Sequence, residues 1–401
     1  MKNKEKTIVP KLRFKEFEDS WKPYKLSQLS DRITDKVGER QLTTLSISAG
    51  TGFVSQAEKF SRDISGKQYQ NYIVLNKGEF SYNKGNSKTF PQGCVYELKE
   101  YDQAAVPNAF ISFKFHDKFV SNFYKGYFER NYHGRQLMKF ITSGARMDGL
   151  LNINPNDFFS IILPTPAEKK EQQKIADCLT SLDELITAES KKLELLQDHK
   201  KGLMQKLFPT EGKTMPEWRF PEFRDGGEWE SIYLGAICNI ATGKLDANAM
   251  TNNGIYRFYT CAREFYKINT FAFDTEALLI SGNGANVGYI HYYKGKFNAY
   301  QRTYVLDNFS KNILYVKVFL EKNLSSRIEK EKNDGNTPYI VRSTLADMVI
   351  LVPKNPKEQQ KIANCLSSVD SFILEQSNKI EQLKEHKKGL MQGLFPSLEE
   401  V

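Results

Sequence analysis

Glu171-Gln-Gln-Lys-Ile-Ala-Asp-Cys-Leu179 returns as Glu358-Gln-Gln-Lys-Ile-Ala-Asn-Cys-Leu366, and His199-Lys-Lys-Gly-Leu-Met-Gln205 returns as His386-Lys-Lys-Gly-Leu-Met-Gln392. Aligned from Glu171 to Pro209 and from Glu358 to Pro396, about 25 of roughly 39 positions are identical, which marks an internal duplication. Each copy also carries a helical period. Ile175, Leu179, Leu182, Ile186, Leu193, Leu196, Leu203 and Leu207 fall at steps of four and three, with Glu189 and Lys200 at the skipped positions. Ile362, Leu366, Val369, Ile373, Ile380, Leu383, Leu390 and Leu394 repeat that seam, with Gln376 and Lys387 polar. Thr165-Pro166 with Glu168, and Asn355-Pro356 with Glu358, read as helix starts with a capping side chain, a first-turn proline and a reciprocal glutamate. Phe208-Pro209 and Phe395-Pro396 read as stops. Two helices of about 60 Å, each with one apolar seam, are therefore expected to pair with each other.

A shorter repeat precedes each globular stretch. Pro10-Lys-Leu-Arg-Phe-Lys-Glu-Phe17, followed by Trp21 and Leu26, returns as Pro216-Glu-Trp-Arg-Phe-Pro-Glu-Phe223, followed by Trp229 and Leu234. The plan is an N-terminal arm at 1–21, a globular segment at 22–164, a long helix at 165–209, a linker and second arm at 210–229, a second globular segment at 230–353, and a second long helix with the C-terminus at 354–401.

The two globular segments share little letter-for-letter similarity. Tyr72–Leu75, Glu79–Tyr82, Cys94–Tyr96 and Ala109–Phe115 read as strands of the first, followed by a helix over Phe119–Thr142 and a return over Ile161–Pro164. In the second, Tyr256–Tyr259, Ala277–Ile280, Gly288–Tyr293 and Thr303–Leu306 read as strands, followed by a helix over Leu314–Glu329 and a final strand over Met348–Val352. The fold expected is mixed α/β, or α+β: two α/β domains separated by two long antiparallel helices in a coiled-coil spacer, with pseudo-two-fold symmetry. The first arm then docks where the second helix ends, in a cyclic arrangement, and Glu189 faces Gln376 near the helix midpoints.

With 401 residues, 40% hydrophobic and 12% aromatic, the chain can build more than one core. No apolar run approaches the roughly 18 residues of a membrane span, and the Lys-rich start lacks the apolar region of a signal peptide, so the expected location is the cytoplasm and no membrane partner is expected. The five cysteines, Cys94, Cys178, Cys238, Cys261 and Cys365, are nowhere spaced as Cys-x-x-Cys and indicate neither a disulfide framework nor a zinc site, so no metal is expected. Cys178 and Cys365, repeat partners, are expected to be buried. The net charge is +9, of which the segment before Glu168 carries about +8, and a basic globular part on nearly neutral helices suits a polyanion.

Catalytic motifs are absent. Gly282-Asn-Gly-Ala-Asn-Val-Gly288 has the wrong glycine spacing for a dinucleotide loop, and a strand, not a helix, is expected after it. Asn154-Pro155-Asn156-Asp157 lacks the second proline and aromatic residue of an amino-methyltransferase tetrapeptide, and the histidines at 116, 133 and 291 are scattered.

The duplicated arm, the variable segment, the Glu-Gln-x-Lys-Ile start and the Lys-Lys-Gly-Leu-Met-Gln-x-Leu-Phe-Pro end together resemble the specificity (S) subunit of type I restriction-modification systems, over essentially the whole chain. That resemblance implies two target recognition domains, each reading half of a bipartite, asymmetric double-stranded DNA site. It also implies helices that set the spacing and dock two methyltransferase (M) subunits, with restriction (R) subunits joining that core. The chain itself would be non-catalytic and bind no cofactor. S-adenosylmethionine, ATP and Mg would enter through the partner subunits of an adenine-specific DNA methyltransferase and ATP-dependent endonuclease.

The loops that combine Gly, Asn and basic residues are the expected DNA contacts: Lys84, Asn86, Lys88 and Arg146 in the first segment, and Asn283, Asn286, Lys294, Tyr300, Gln301, Arg302 and Arg342 in the second. Asn and Gln pair bidentately with adenine and Arg with guanine, while Lys and Tyr take phosphate oxygens. The duplicated patches His199, Lys200, Lys201 and His386, Lys387, Lys388 are the expected partner-binding surface, because two copies of one partner need two copies of one surface. Two other classes fit the same features less fully: a coiled-coil scaffold with two protein-binding domains, and a self-sufficient DNA-modifying enzyme with degenerate motifs.

Overall fold

The computed structural model describes residues 8–61, 66–85, 90–141, 151–331 and 339–396. Its two compact units are Met1–Glu189 with Lys379–Val401, and Ser190–Asn378. Both long helices form, over Lys169–Leu207 and Pro356–Leu394, and end where the Phe-Pro stops were expected.

The first helix starts differently from the expectation, whereas the second begins at Pro356 behind a capping Asn355, as expected, and differs only in its glutamate. Thr165 does not cap a helix: it is the last, fully buried residue of a strand, Ile162–Thr165, with its hydroxyl near Tyr124 Oη and the Leu163 carbonyl. The first helix starts at Lys169, four residues after Thr165. In the second, Asn355 Oδ1 accepts from Lys357 N at 3.0 Å, but the Glu358 carboxylate is bound elsewhere.

Where Glu358 goes explains the arm repeat. Arg219 donates Nε and Nη2 to the two Glu358 oxygens at 2.6 Å, with side-chain exposures of 7% and 0%. In the first unit Arg13 donates Nε and Nη2 to Glu171 at 2.8 Å, and Trp21 Nε1 adds a bond to Glu171 at 3.2 Å. Each arm then runs onto the end of a long helix: Leu12 N donates to Gly393 O and Trp218 N to Lys206 O, both at 2.9 Å. The first arm thus docks at the end of the second helix, as its repeat position implied.

Within each unit the helix segments run antiparallel. In the first, Asp183 bonds Lys387 while Glu189, six residues on, bonds Lys379, eight residues back. In the second, Lys200 bonds Asp370, and Leu207 shares a core with Ile362 and Leu366. Seam burial is uneven. Ile175, Leu179, Ile362, Leu366, Val369 and Ile380 are buried, whereas Leu182, Ile186, Leu193, Leu196, Ile373 and Leu383 are half-buried. Gln376 is buried and Glu189 is paired with Lys379. Cys178 and Cys365 are half-buried, not buried, because they flank the seam.

Both globular segments close in the same way, their first strand antiparallel to their last: Lys22–Lys25 with Ile162–Thr165, and Glu230–Tyr233 with Val349–Val352. Between those strands they diverge. The first holds a four-stranded sheet in the order Ser30–Arg32, Ile111–Phe115, Phe80–Asn83, Cys94–Glu97, plus a hairpin of Leu45–Ser48 with Gly52–Ser55 and an antiparallel pair of Ile73–Asn76 with Gln103–Val106. The second holds a six-stranded sheet: Asn239–Thr242, Thr303–Asp307, Phe273–Ser281, Ile290–Ala299, Tyr256–Tyr259, Tyr266–Ile268. Leu278, Ile280 and Ile290 face the helix Ile313–Glu331, and Tyr259, Leu279 and Phe297 form a smaller core on the other face.

The expected helix over Phe119–Thr142 is broken. Ser121–Glu129 ends at Arg130, Asn131 takes φ +53°, and Tyr132–Leu137 begins anew; Thr142 lies outside the described residues. The break lets each part pack separately: Phe123 and Tyr127 meet Phe395 at centroid distances of 5.3 and 4.6 Å. A Cβ on Gly126 would stand 2.3 Å from the Phe395 ring, so this close approach needs glycine. Phe208 is the counterpart, packed on Tyr315 and Phe319 at 5.5 and 5.9 Å.

Two predictions follow from this packing. Glu358→Gln leaves Arg219 buried with no counter-charge and is expected to cost about 3–5 kcal/mol. Urea unfolding measures it, and a loss below about 1 kcal/mol would refute the lock. The second concerns His133, which burial lowers to about 4 although its bond to the Gly93 carbonyl favours the charged form. An unfolded imidazole titrates near 6.5, so as the pH falls the unfolded chain takes up this proton first. The contribution is complete above pH ~6.5 and is lost as the pH falls toward ~4. His133→Gln should therefore unfold with a flatter pH dependence across that window than the parent, and parallel curves would exclude the effect.

Candidate nucleic-acid interface

In the second unit the turn Tyr300-Gln301-Arg302 is the hub on which four other loops converge. Tyr300 N donates to Tyr259 O, Gln301 N to Leu245 O and Gly282 N to Arg302 O, each at 2.9 Å, and Ile340 N donates to Gly282 O at 2.8 Å. Asn283 forms a bridge with Tyr339. Asn286 Nδ2 donates to Cys261 O at 3.0 Å, and its Oδ1 accepts from Arg263 Nε at 3.3 Å. Backbone pairing thus places 243–245, 260–263, 282–286 and 339–342 around one turn.

Of the residues expected to contact DNA, Asn283, Asn286, Tyr300, Gln301, Arg302 and Arg342 are brought together here. Gln301, Arg302 and Arg342 are exposed, with Arg342 opening the short helix Arg342–Ala346. Asn286 spends its amide on holding the 261–263 loop, and Tyr300 is half-buried.

Lys294 does not join them. It lies inside the strand Ile290–Ala299, opposite Glu276 and four register pairs from the loop end, with its ammonium 3.6 Å from that carboxylate. The strand read over Gly288–Tyr293 in the sequence continues through Lys294 and Gly295, at φ +132°, to Ala299. Two residues that the sequence reading missed belong to the cluster: Arg263, exposed and 5.5 Å above the Tyr289 ring, and Tyr339, 59% exposed. An arginine two residues past Cys261 had no Gly or Asn neighbour to mark it.

In the first unit Lys84 follows the strand Phe80–Asn83, is half-buried, and its carbonyl accepts from Leu151 N at 2.9 Å. Gly93, at φ +78° with a built Cβ 2.4 Å from Asn83 O, sets the other base of that hairpin. Asn86, Lys88 and Arg146 lie outside the described residues.

The duplicated basic patches are divided. His199, Lys201, His386 and Lys388 are exposed. Lys200 and Lys387 are not available to a partner in the way expected, because each is drawn into an ion cluster of its own unit. Lys387 lies 2.6 Å from Asp183 and 2.7 Å from Glu129, and Lys125 lies 2.7 Å from Asp183 and 3.0 Å from Glu129. In the second unit Lys200 lies 2.6 Å from Asp370 and 3.3 Å from Glu321, and Lys317 pairs with Glu321. Burial pushes the Asp183 carboxyl up, but bonds from Lys125 and Lys387 outweigh it and hold the group below its ordinary value. For Lys200, burial disfavours the charge and Asp370 with Glu321 more than restores it, so its pKa is raised.

Among the described residues no group of three or more His, Cys, Asp or Glu side chains is placed to hold a metal, and no helix is long and apolar enough to cross a membrane.

Residues 226–385 match the Type I restriction modification DNA specificity domain. The type I restriction enzyme EcoDI specificity subunit of Escherichia coli is 39% identical over 171 residues, 42% of this chain and 37% of that one. Residues 226–385 thus carry a type I restriction-modification DNA specificity domain, and the chain is similar to type I specificity subunits. The MjaVIII specificity subunit of Methanocaldococcus jannaschii is 25% identical over 286 residues, 64% of this chain and 66% of that one. The matched stretches therefore span from about a third to just under two thirds of these two curated specificity subunits. The fold extends further: the crystal structure of a type I S subunit from M. genitalium superposes with a TM-score of 0.64 at 16% identity, covering 98% of this chain and all of that one.

The hub around the 300–302 turn is tight enough to be tested by one methyl group. A Cβ on Gly243 would stand 1.9 Å from Ala299 O and 2.5 Å from Tyr300 O. Gly243→Ala must therefore displace the 300–302 turn, at a cost of about 1–3 kcal/mol. A lowered melting temperature with altered hydrogen exchange at Gln301 and Arg302 is expected, and an unchanged turn would show that the backbone gives elsewhere.

Proposed function

We propose that this chain is the DNA-reading subunit of a type I restriction-modification complex, each globular segment reading one half of a split site and the two long helices setting the spacing. The observation that carries this reading is a frame repeated contact for contact under two unlike sheets. Gln172 and Gln359 each accept a backbone N–H from the globular segment, Val120 at 2.9 Å and Asn312 at 3.1 Å, and each donates back to a proline carbonyl, Pro166 and Pro353. A common mount with different contents suits two readers of different short sequences.

In the second segment Gln301, Arg302 and Arg342 supply the donors and acceptors that discriminate base edges, and Asn283 borders them. Catalysis belongs to partners. Two methyltransferase subunits, docked on exposed residues including His199, Lys201, His386 and Lys388, would bring S-adenosylmethionine and extrude the target adenine, while this chain holds the duplex. Restriction subunits, with ATP and Mg, would complete the nuclease.

Mapping methylated adenines genome-wide with and without the gene should reveal a split motif that disappears with it. Gln301→Ala should relax selectivity at one position of one half only, whereas Lys84→Ala with Lys88→Ala should weaken binding to all sequences and lower the salt dependence. A methylation pattern indifferent to the gene, or an unbroken motif, would overturn the reading.

A further inference from the structure

The second unit carries a set of cations that no carboxylate among the described residues neutralises. The Arg257 guanidinium lies 4.3 Å from the Phe265 ring centre and 4.5 Å from that of Tyr293, the Lys267 ammonium 5.7 Å from Phe265, and the Lys296 ammonium 4.7 Å from Phe271. Among the described residues none of the three, nor Arg263 over Tyr289, has an acidic group within ion-pairing distance. Asp274 stands opposite Lys296 in the strand register but makes no ion pair with it, and Glu276 is taken by Lys294 and Tyr292. Phe265 and Phe271 are themselves 40% and 43% exposed.

Among the described residues the first unit shows nothing comparable. Its lysines over rings are chain neighbours of those rings, Lys59 on Phe60, Lys118 on Phe119 and Lys139 on Phe140, apart from Lys174 on Phe14, which also pairs with Glu16.

A ring face fixes a cation without cancelling its charge, so its outer side still attracts an anion. Several fixed, unneutralised cations on one sheet edge match a polyanion with regularly spaced charges better than a single acidic side chain. The edge is also continuous with the reading loops, because the strand Tyr256–Tyr259 leads directly into the 260–263 segment held by Asn286.

We infer that the edge formed by Tyr256–Tyr259, Tyr266–Ile268 and the end of Ile290–Ala299 is a sequence-independent DNA-backbone contact beside the second half-site, formed by Arg257, Lys267 and Lys296 on Phe265 and Phe271. This rests on the DNA-reading function proposed above.

The test uses the full chain assembled with its methyltransferase subunits. Affinity is measured for two duplexes, one ending just past the second half-site and one extended beyond it. The parent complex should favour the longer duplex about tenfold, and the double variant Lys267→Ala with Lys296→Ala should lose that advantage and lower the salt slope by about 2, near 0.9 per phosphate contact. The methylated motif should stay the same. Both lysines are exposed, so the variant should fold, and Arg263→Gln, on a separate loop, should lower the slope by about 1 on its own. Unchanged length preference and slope in both variants would overturn the inference while leaving the reading function intact. So would unchanged DNA binding with loss of a protein subunit, which would make the edge a protein contact. A parent complex that selects no DNA site would instead overturn the reading function itself.

Discussion

A carboxylate with almost no exposure stands in the first turn of each long helix, and the chain is arranged to neutralise it. Glu171 is 1% and Glu358 0% exposed. The helix N-terminus favours a negative charge there, but removal from water costs several kcal/mol that the dipole alone does not return. An arginine from the arm supplies the rest through two parallel bonds. Arm, helix start and globular segment are thereby coupled at one point, because the arm cannot leave without stranding the charge.

Around that point the same parts recur under different sheets. Arg130 Nη1 donates to the Phe395 carbonyl and Lys322 Nζ to the Phe208 carbonyl, so even the cation over the helix end is repeated. A mount that survives a change from a four-stranded sheet with hairpins to a six-stranded one does not depend on what it carries. Sequence freedom in the globular segments is therefore compatible with fixed docking, and freedom is what a reader of varied targets requires.

Much of this was legible in the sequence because duplication reveals what both halves need: the seam, the arms and the Phe-Pro stops are all repeated. What failed were inferences from one copy at a time. Thr165 and Asn355 were read as equivalent caps, yet the repeat offset equates Asn355 with Glu168, and Lys169 with Pro356. Glu358 looked like a local capping residue although its partner is 139 residues away. The break at Asn131 was invisible because an asparagine in the left-handed region leaves the apolar pattern on both sides intact. In the second unit the Gly- and Asn-marked loops could be named from the sequence, but their convergence could not, since it comes from strand register. Lys294 was misplaced because the strand was read as ending at Tyr293, whereas its pairing carries it on to Ala299.

The ion clusters show why orientation and stability need separate means. Lys387 and Lys200 occupy the polar gaps in the two seams, where an apolar residue would have continued the packing. Their side chains are 13% and 18% exposed, and partly hydrated pairs of this kind add little stability each. Apolar contact is also tolerant of sliding, since Leu against Leu is nearly as good one turn along. A lysine meeting two carboxylates from two different elements is not tolerant: a shift of one residue, about 1.5 Å and 100°, removes it from both. The Phe395 and Phe208 packing therefore holds each globular segment on, and the lysine clusters fix the register at which it is held. For a protein whose proposed task is to present a few side chains to base edges, an error of an ångström in that register would cost more than the small stability given up at the gaps.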